Sequence, residues 1–153
     1  MTLIKSISGI RGTIGGKPSY GFTPLDIVKF TSAFGTLILK NSKSKKHTIV
    51  IGRDARMSGQ MVSNIVSGTL IGLGINVIDL GLSATPTVEM AVTELKAQGG
   101  IILTASHNPK QWNALKLLNE KGEFISEETG MELLHLAEKA EFIYAEVNRL
   151  GSY

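Results

Sequence analysis

The sequence of 153 residues contains no cysteine and no apolar run of the roughly 20 residues that a membrane-spanning helix needs. Without cysteine, the chain cannot be a disulfide-stapled scaffold and cannot bind a metal through thiolates. The N-terminus also lacks the charged-then-apolar order of a secretion signal. We therefore expect a cytoplasmic protein that has no membrane partner.

Aromatic residues and excess charge are also scarce. Aromatics make up 6% of the chain, and 16 basic against 13 acidic residues leave a net charge of +3. The densest basic stretch has no aromatic side chain that could stack on a base, so we interpret it as a solvated loop and expect no nucleic-acid partner. It comprises Lys40, Lys43, Lys45 and Lys46. A mild positive excess instead suits a small anionic substrate.

Apolar periodicity predicts one domain over residues 1–153, without repeats or an internal linker. Helices are expected to begin with Thr23 as N-cap, at about Gly59, at Thr85 and near Ser126, and Gly74 is expected to end the second. An extended segment is expected over 3–14, and strands over 48–51, 76–80, 100–104 and 114–118. This alternation predicts an α/β layered domain with a largely parallel sheet.

Polar segments with groups suited to phosphate follow or flank these strands. Arg11 stands between glycines, Arg53 follows the 48–51 strand, and Ser106 follows the 100–104 strand, with Lys116 soon after. Because ligands bind at the carboxyl ends of strands in open α/β sheets, we expect the three basic side chains around the serine. Arginine donates two parallel hydrogen bonds to phosphate, and lysine adds a compact charge.

Ser106 is a candidate nucleophile if a base takes its proton and the turn exposes its oxygen. The adjacent His107 either assists that chemistry or only orients the loop backbone. Arg53 either binds a ligand or pairs with Asp54 or a neighbouring loop as a structural ion pair, and both remain open. Arg56 is expected to be structural or exposed.

The hexapeptide Thr104-Ala105-Ser106-His107-Asn108-Pro109 resembles the active-site signature of the phosphoglucomutase and phosphomannomutase superfamily. Segments 8–12, 52–59 and 84–87 are similar to further motifs of the same superfamily and occur in its order. The resemblance extends over the whole chain. The closest similarity in character is to bacterial phosphoglucosamine and phosphomannose mutases.

The resemblance implies a three-layer α/β/α domain with a mixed sheet and an intramolecular phosphotransferase activity. A phosphorylated Ser106 would give its phosphate to a hexose phosphate, and the bisphosphosugar would reorient and return its other phosphate. The implied catalytic residues are Ser106, His107, Lys116 (as general acid or base near the sugar hydroxyl) and Arg11. The implied phosphate-binding and substrate-binding residues are Arg11, Asn108, Arg53 and Lys116. The implied cofactors are Mg²⁺, bound to Ser106 through its phosphate, and a phosphorylated sugar as activator.

Two departures from the family pattern stand out. Ala114 occupies the position of a family glycine in Asn113-Ala114-Leu115-Lys116, so either the backbone there is not left-handed or the local turn differs. The aspartate-rich loop that supplies the family's metal ligands has no counterpart in these 153 residues.

Because the family enzymes have four domains around one cleft, we expect residues 1–153 to be the first domain. The expected partners are then a hexose phosphate and three further domains, and this chain by itself should not complete turnover. An alternative hypothesis is a non-catalytic module that binds a phosphosugar or another anion through the same loops.

Overall fold

A computed structural model of the chain describes residues 1–7 and 9–153, which form one six-stranded sheet with helices packed on both faces. The strands are β1 (Ile4–Ser6), β2 (Gly9–Thr13), β3 (Thr48–Arg53), β4 (Asn76–Leu82), β5 (Gly99–Leu103) and β6 (Trp112–Leu118). The helices are α1 (Pro24–Asn41), α2 (Gly59–Gly72), α3 (Thr85–Glu94) and α4 (Glu127–Lys139), followed by a 3₁₀ turn (Val147–Arg149).

The sheet is mixed, with strand order β1-β2-β6-β5-β3-β4. The β3–β4 and β3–β5 pairs are parallel, whereas β1–β2, β2–β6 and β5–β6 are antiparallel. The prediction of a layered α/β domain with a mixed sheet is confirmed, but "largely parallel" is too strong. A parallel neighbour needs a long crossover, usually through a helix, and β5 is joined to β6 by residues 104–111 without one.

Local sequence signals define the helix ends. The Thr23 hydroxyl accepts a hydrogen bond from the Asp26 amide, and the Asp26 carboxylate accepts one from the Thr23 amide, which is the reciprocal capping box at the start of α1. Helix α4 begins near Ser126 as predicted, and the Ser126 side chain caps it by accepting a hydrogen bond from the Thr129 amide. Gly74, with φ of 84°, follows the last turn of α2. Helix α3 is capped by Ala84, one residue before the predicted Thr85.

The two faces of the sheet are packed unequally. Helices α1, α2 and α4 cover one face, where Ile49, Ile51 and Ile101 belong to a large buried cluster with the helical phenylalanines. Helix α3 lies on the other face, where Val50 and Ile102 belong to a much smaller cluster. None of the described helices is long and apolar enough to span a bilayer.

Candidate functional site

The serine loop, residues 104–111, leaves the carboxyl end of β5. Because β3 and β4 run parallel to β5, their carboxyl ends lie at the same edge of the sheet. Ser106 is exposed there and has φ of 51°, a left-handed conformation that a side chain disfavours. The loop therefore presents the serine at a ligand-binding edge of the sheet in a strained turn.

A cleft of about 310 Å³ surrounds this serine. Its lining residues are Arg11, Thr104, Ala105, Ser106, His107, Asn108, Pro109, Ala114 and Lys116. Within it, Lys116 Nζ donates a hydrogen bond of 2.5 Å to Ser106 Oγ. The predicted proximity of Ser106, Lys116 and Arg11 is thus present in the fold.

Strand register explains how the two basic side chains reach the cleft. In the β2–β6 ladder, Gly9 lies opposite Lys116, and Arg11 lies opposite Ala114. Alternate residues of a strand share a face, so Arg11 and Lys116 emerge on the same side of the sheet. Ala114, opposite Arg11, has only a methyl group and leaves the surface beside it open, whereas at Gly9 the Leu115 carbonyl oxygen occupies the space that a Cβ would need.

Ala114 is the residue at the family's glycine position. It lies within β6, is 3% exposed, and is not among the residues with positive φ. Of the two alternatives, the backbone is therefore not left-handed at this position. Its methyl group lines the cleft and requires no strained conformation.

The other predicted site residues divide into two groups. His107 is exposed and Asn108 half-buried, and both line the cleft. Arg53 does not line it, and its guanidinium instead donates to Gln60 Oε1 at 3.0 Å and to the Asp54 carbonyl. Ser8, in the predicted arginine loop, lies outside the described residues.

Arg56, which we expected to be structural or exposed, binds the serine loop. Its guanidinium donates hydrogen bonds to four carbonyl oxygens, those of Ser106, Asn108, Pro109 and Trp112. The carboxylate of Asp54 pairs with Arg56 and not with Arg53. The segment Gly52-Arg53-Asp54-Ala55-Arg56 contains both arginines, but nothing in their spacing indicates which of them binds the serine loop.

Charge makes this cleft suited to an anion. Among the described residues that line it, two are cationic and none is acidic. A larger cleft of about 500 Å³ lies at the opposite edge of the sheet, beside Gln98 and Asn119. Its lining includes Glu120 and no basic residue, so chemistry and not size identifies the smaller cleft as the candidate site.

The described residues do not fit a complete Mg²⁺ site. No group of three or more candidate ligands gathers among them. The carboxylate of Asp54 is not free to bind a metal, because it accepts hydrogen bonds from Arg56 and from the Thr104 hydroxyl. Mg²⁺ prefers several oxygen ligands in octahedral geometry. Ser106 could contribute only one of them, so Ser106 cannot complete a site by itself.

Fold and site together define an α/β/α domain whose serine loop and two cations are suited to a phosphorylated ligand. The chain belongs to the phosphoglucomutase/phosphomannomutase family, whose alpha/beta/alpha domain I matches residues 3–144.

Known relatives agree with this assignment. A phosphoglucomutase/phosphomannomutase of Thermococcus kodakarensis is 36% identical, over 94% of this chain and 30% of the relative. A phosphoglucosamine/phosphogalactosamine mutase of Sulfurisphaera tokodaii is 38% identical, over 82% of the chain and 26% of the relative. A phosphoglucosamine mutase of Helicobacter pylori (strain Shi470) is 37% identical, over 78% of this chain and 26% of the relative. The chain thus spans less than a third of their length.

Solved structures share the fold. A structure named for a phosphomannomutase of Thermus thermophilus superimposes with a TM-score of 0.76 at 30% identity, over 90% of this chain and 30% of that one. A phosphoglucomutase/phosphomannomutase family protein of Burkholderia thailandensis gives a TM-score of 0.77 at 22% identity, over 96% and 32%, and supports the fold alone. The predicted family and its α/β/α fold are confirmed.

Proposed function

We propose that this chain is a phosphohexomutase domain in which Ser106 carries the phosphoryl group between positions of a hexose phosphate. The observation that carries the proposal is the 2.5 Å hydrogen bond from Lys116 Nζ to Ser106 Oγ, in a cleft also lined by Arg11. An exposed serine oxygen beside two cationic side chains suits both the attack on a phosphoryl group and the charge of the phosphoserine that results.

In the proposed transfer, the P–Oγ bond of phosphorylated Ser106 breaks while a hydroxyl oxygen of the hexose phosphate forms a new P–O bond. Oγ keeps the electron pair of the broken bond and takes a proton from Lys116. The sugar hydroxyl loses its proton to a base, and we propose His107, which lines the cleft, for that role. The return of the other phosphate reverses both proton transfers.

Arg11 and Asn108 are proposed to bind phosphate oxygens beside the serine, because both line the cleft. The contacts of Arg53 give no support to its predicted binding role. Mg²⁺, when bound, would offset phosphate charge, and most of its ligands would have to come from outside the described residues. We propose that these ligands and the sugar-selecting groups lie in further domains, and that residues 1–153 form the first.

The test is phosphorylation and activity of the full-length gene product. After incubation with a hexose 1,6-bisphosphate, intact-mass analysis and peptide mapping should find one phosphate, on Ser106. Ser106→Ala should abolish the label and lower kcat by at least about 10⁴-fold, because the covalent carrier is removed. Ser44→Ala is the matched control, since Ser44 is exposed in the loop after α1.

Binding of the bisphosphate without transfer of phosphate to Ser106 would contradict the proposal and favour the non-catalytic module. The 153-residue chain by itself should show no turnover. Mutase activity of that chain, abolished by Ser106→Ala, would show that the groups assigned to further domains are not needed.

A further inference from the structure

The guanidinium of Arg56 donates three hydrogen bonds to carbonyl groups of the serine loop and a fourth to the first residue of β6. Its Nη2 donates to the Ser106 carbonyl at 2.9 Å and to the Asn108 carbonyl at 2.8 Å. Its Nη1 donates to the Pro109 carbonyl at 2.7 Å and to the Trp112 carbonyl at 3.0 Å. Only 11% of the Arg56 side chain is exposed, although the bonds to the Ser106 and Pro109 carbonyls lie at the exposed surface of the loop.

The same residue also acts on the amide side of the serine. Arg56 Nε donates to Asp54 Oδ2 at 3.1 Å, and this oxygen accepts the Thr104 hydroxyl at 2.6 Å. The Thr104 oxygen in turn accepts the Ser106 amide at 3.1 Å. Both peptide groups that flank the Ser106 α-carbon are therefore fixed by one connected network.

Such a network explains why Ser106 remains in an unfavourable conformation. Its left-handed backbone is unfavourable for a residue with a side chain and persists only where the surroundings determine it. That conformation accompanies the contact of Oγ with Lys116.

We propose that Arg56 is a positioning residue, which holds the Ser106 loop in the conformation that aims Oγ at Lys116 and the incoming phosphoryl group. Its role is indirect, because Arg56 does not line the cleft. This inference rests on the proposed function of Ser106.

The geometry requires a guanidinium and not merely a positive charge. Four carbonyl oxygens and one carboxylate are bound by the five N–H groups of one planar fork. A lysine would keep the charge beside Asp54 but offers three donors on a single nitrogen. Arg56→Lys should therefore fold and lose the positioning effect. Arg56→Ala would in addition leave the Asp54 carboxylate without its cationic partner.

The first measurement is kinetic and uses the full-length gene product. Arg56→Lys should lower kcat per folded molecule about 100-fold, because a displacement of about 1 Å at the reacting atom has that effect. KM should stay within about threefold, since Arg11 and Lys116 remain in the cleft. Arg149→Lys, at an exposed arginine of the 3₁₀ turn, should change neither constant. An unchanged kcat in Arg56→Lys would overturn the inference.

The second measurement does not depend on activity. In the 153-residue chain, amide hydrogen exchange at Ser106 should become at least about tenfold faster in Arg56→Lys, while exchange at Ile101 within β5 stays the same. No change at Ser106 would overturn the positioning role. If wild-type protein never acquires phosphate on Ser106, the proposed function fails, and the exchange data still decide whether Arg56 fixes the loop.

Discussion

The two faces of the sheet differ in what they bear: one carries the large buried cluster, and the other carries a small cluster and the cleft. On the face covered by α1, α2 and α4, strand side chains and helix side chains form one continuous buried cluster. On the face that carries α3, the buried cluster has six members, and the surface over β2 and β6 bears Arg11 and Lys116. Most apolar burial, and with it most stabilisation, therefore belongs to the first face.

The difference shows how one sheet can combine a stable core with an open cleft. Successive strand residues point to opposite faces, so β6 directs Leu115 and Leu117 into the large cluster while Lys116 points to the cleft. A residue of the site can consequently change without a large effect on the core one position away. Stability and chemistry should respond to different substitutions.

Ile101 and Ile102 provide the strongest test of this separation. They are adjacent in β5 and are both at most 1% exposed, but they belong to the large and the small cluster respectively. We expect Ile101→Ala to lower the free energy of unfolding by about 4 kcal/mol and Ile102→Ala by about 2.5 kcal/mol, because fewer neighbours surround the second cavity. Urea unfolding of both variants measures the difference. Equal losses would mean that the smaller cluster is packed as rigidly as the larger.

Much of this arrangement could be predicted from sequence, because it depends on local signals. The β-branched run Thr48-Ile49-Val50-Ile51, the cap Thr23 and the predicted helix start near Ser126 located their elements correctly. Ser106 and Lys116 were also chosen correctly as neighbours, since one follows β5 and the other lies on the next strand of the sheet.

What could not be predicted depends on contacts between distant segments. The antiparallel pairing of β6 depends on its neighbours in the sheet and not on its own composition. The ladder between β3 and β4 shifts register between Ile51 and Arg53, and such irregularities redirect the side chains that follow. Sequence spacing could not show, therefore, that Arg56 and not Arg53 would reach the serine loop.

Lys116 provides a test on the cleft face, with a smaller expected effect. Lys116→Met keeps the apolar stem and removes the ammonium group beside Ser106 Oγ. We expect the affinity for inorganic phosphate to fall about tenfold, equivalent to about 1.4 kcal/mol, and the free energy of unfolding to change by less than about 0.5 kcal/mol. Calorimetric titration and urea unfolding provide the two values.

Lys110→Met is the matched control, because Lys110 is exposed on the same loop and does not line the cleft. Its loss should leave phosphate affinity within about twofold, as expected for a screened surface charge. A large loss of stability in Lys116→Met would contradict the separation of the two faces. Equal losses of affinity in both variants would mean that net charge, not the cleft, attracts phosphate.

The smallest expected effect lies at the rim of the large face, on the edge strand β4. Tyr153 donates a hydrogen bond of 2.7 Å to Asp79 Oδ2, and this bond, together with the charge of the carboxylate, raises the pKa of Tyr153 above its ordinary value. The neutral phenol is the form that the fold favours. Its contribution to stability is therefore complete below the unfolded pKa of about 10 and is lost as the pH rises through the folded value.

Ultraviolet titration of tyrosinate, taken as the difference between wild type and Tyr153→Phe, should show a midpoint above that of a free tyrosine. Asp79→Asn should return the midpoint toward the ordinary value, because the repulsion between two anions is removed. The small advantage of wild type over Tyr153→Phe in thermal unfolding should disappear at the highest pH. A midpoint unaffected by Asp79→Asn would show that the phenol is not held at this carboxylate.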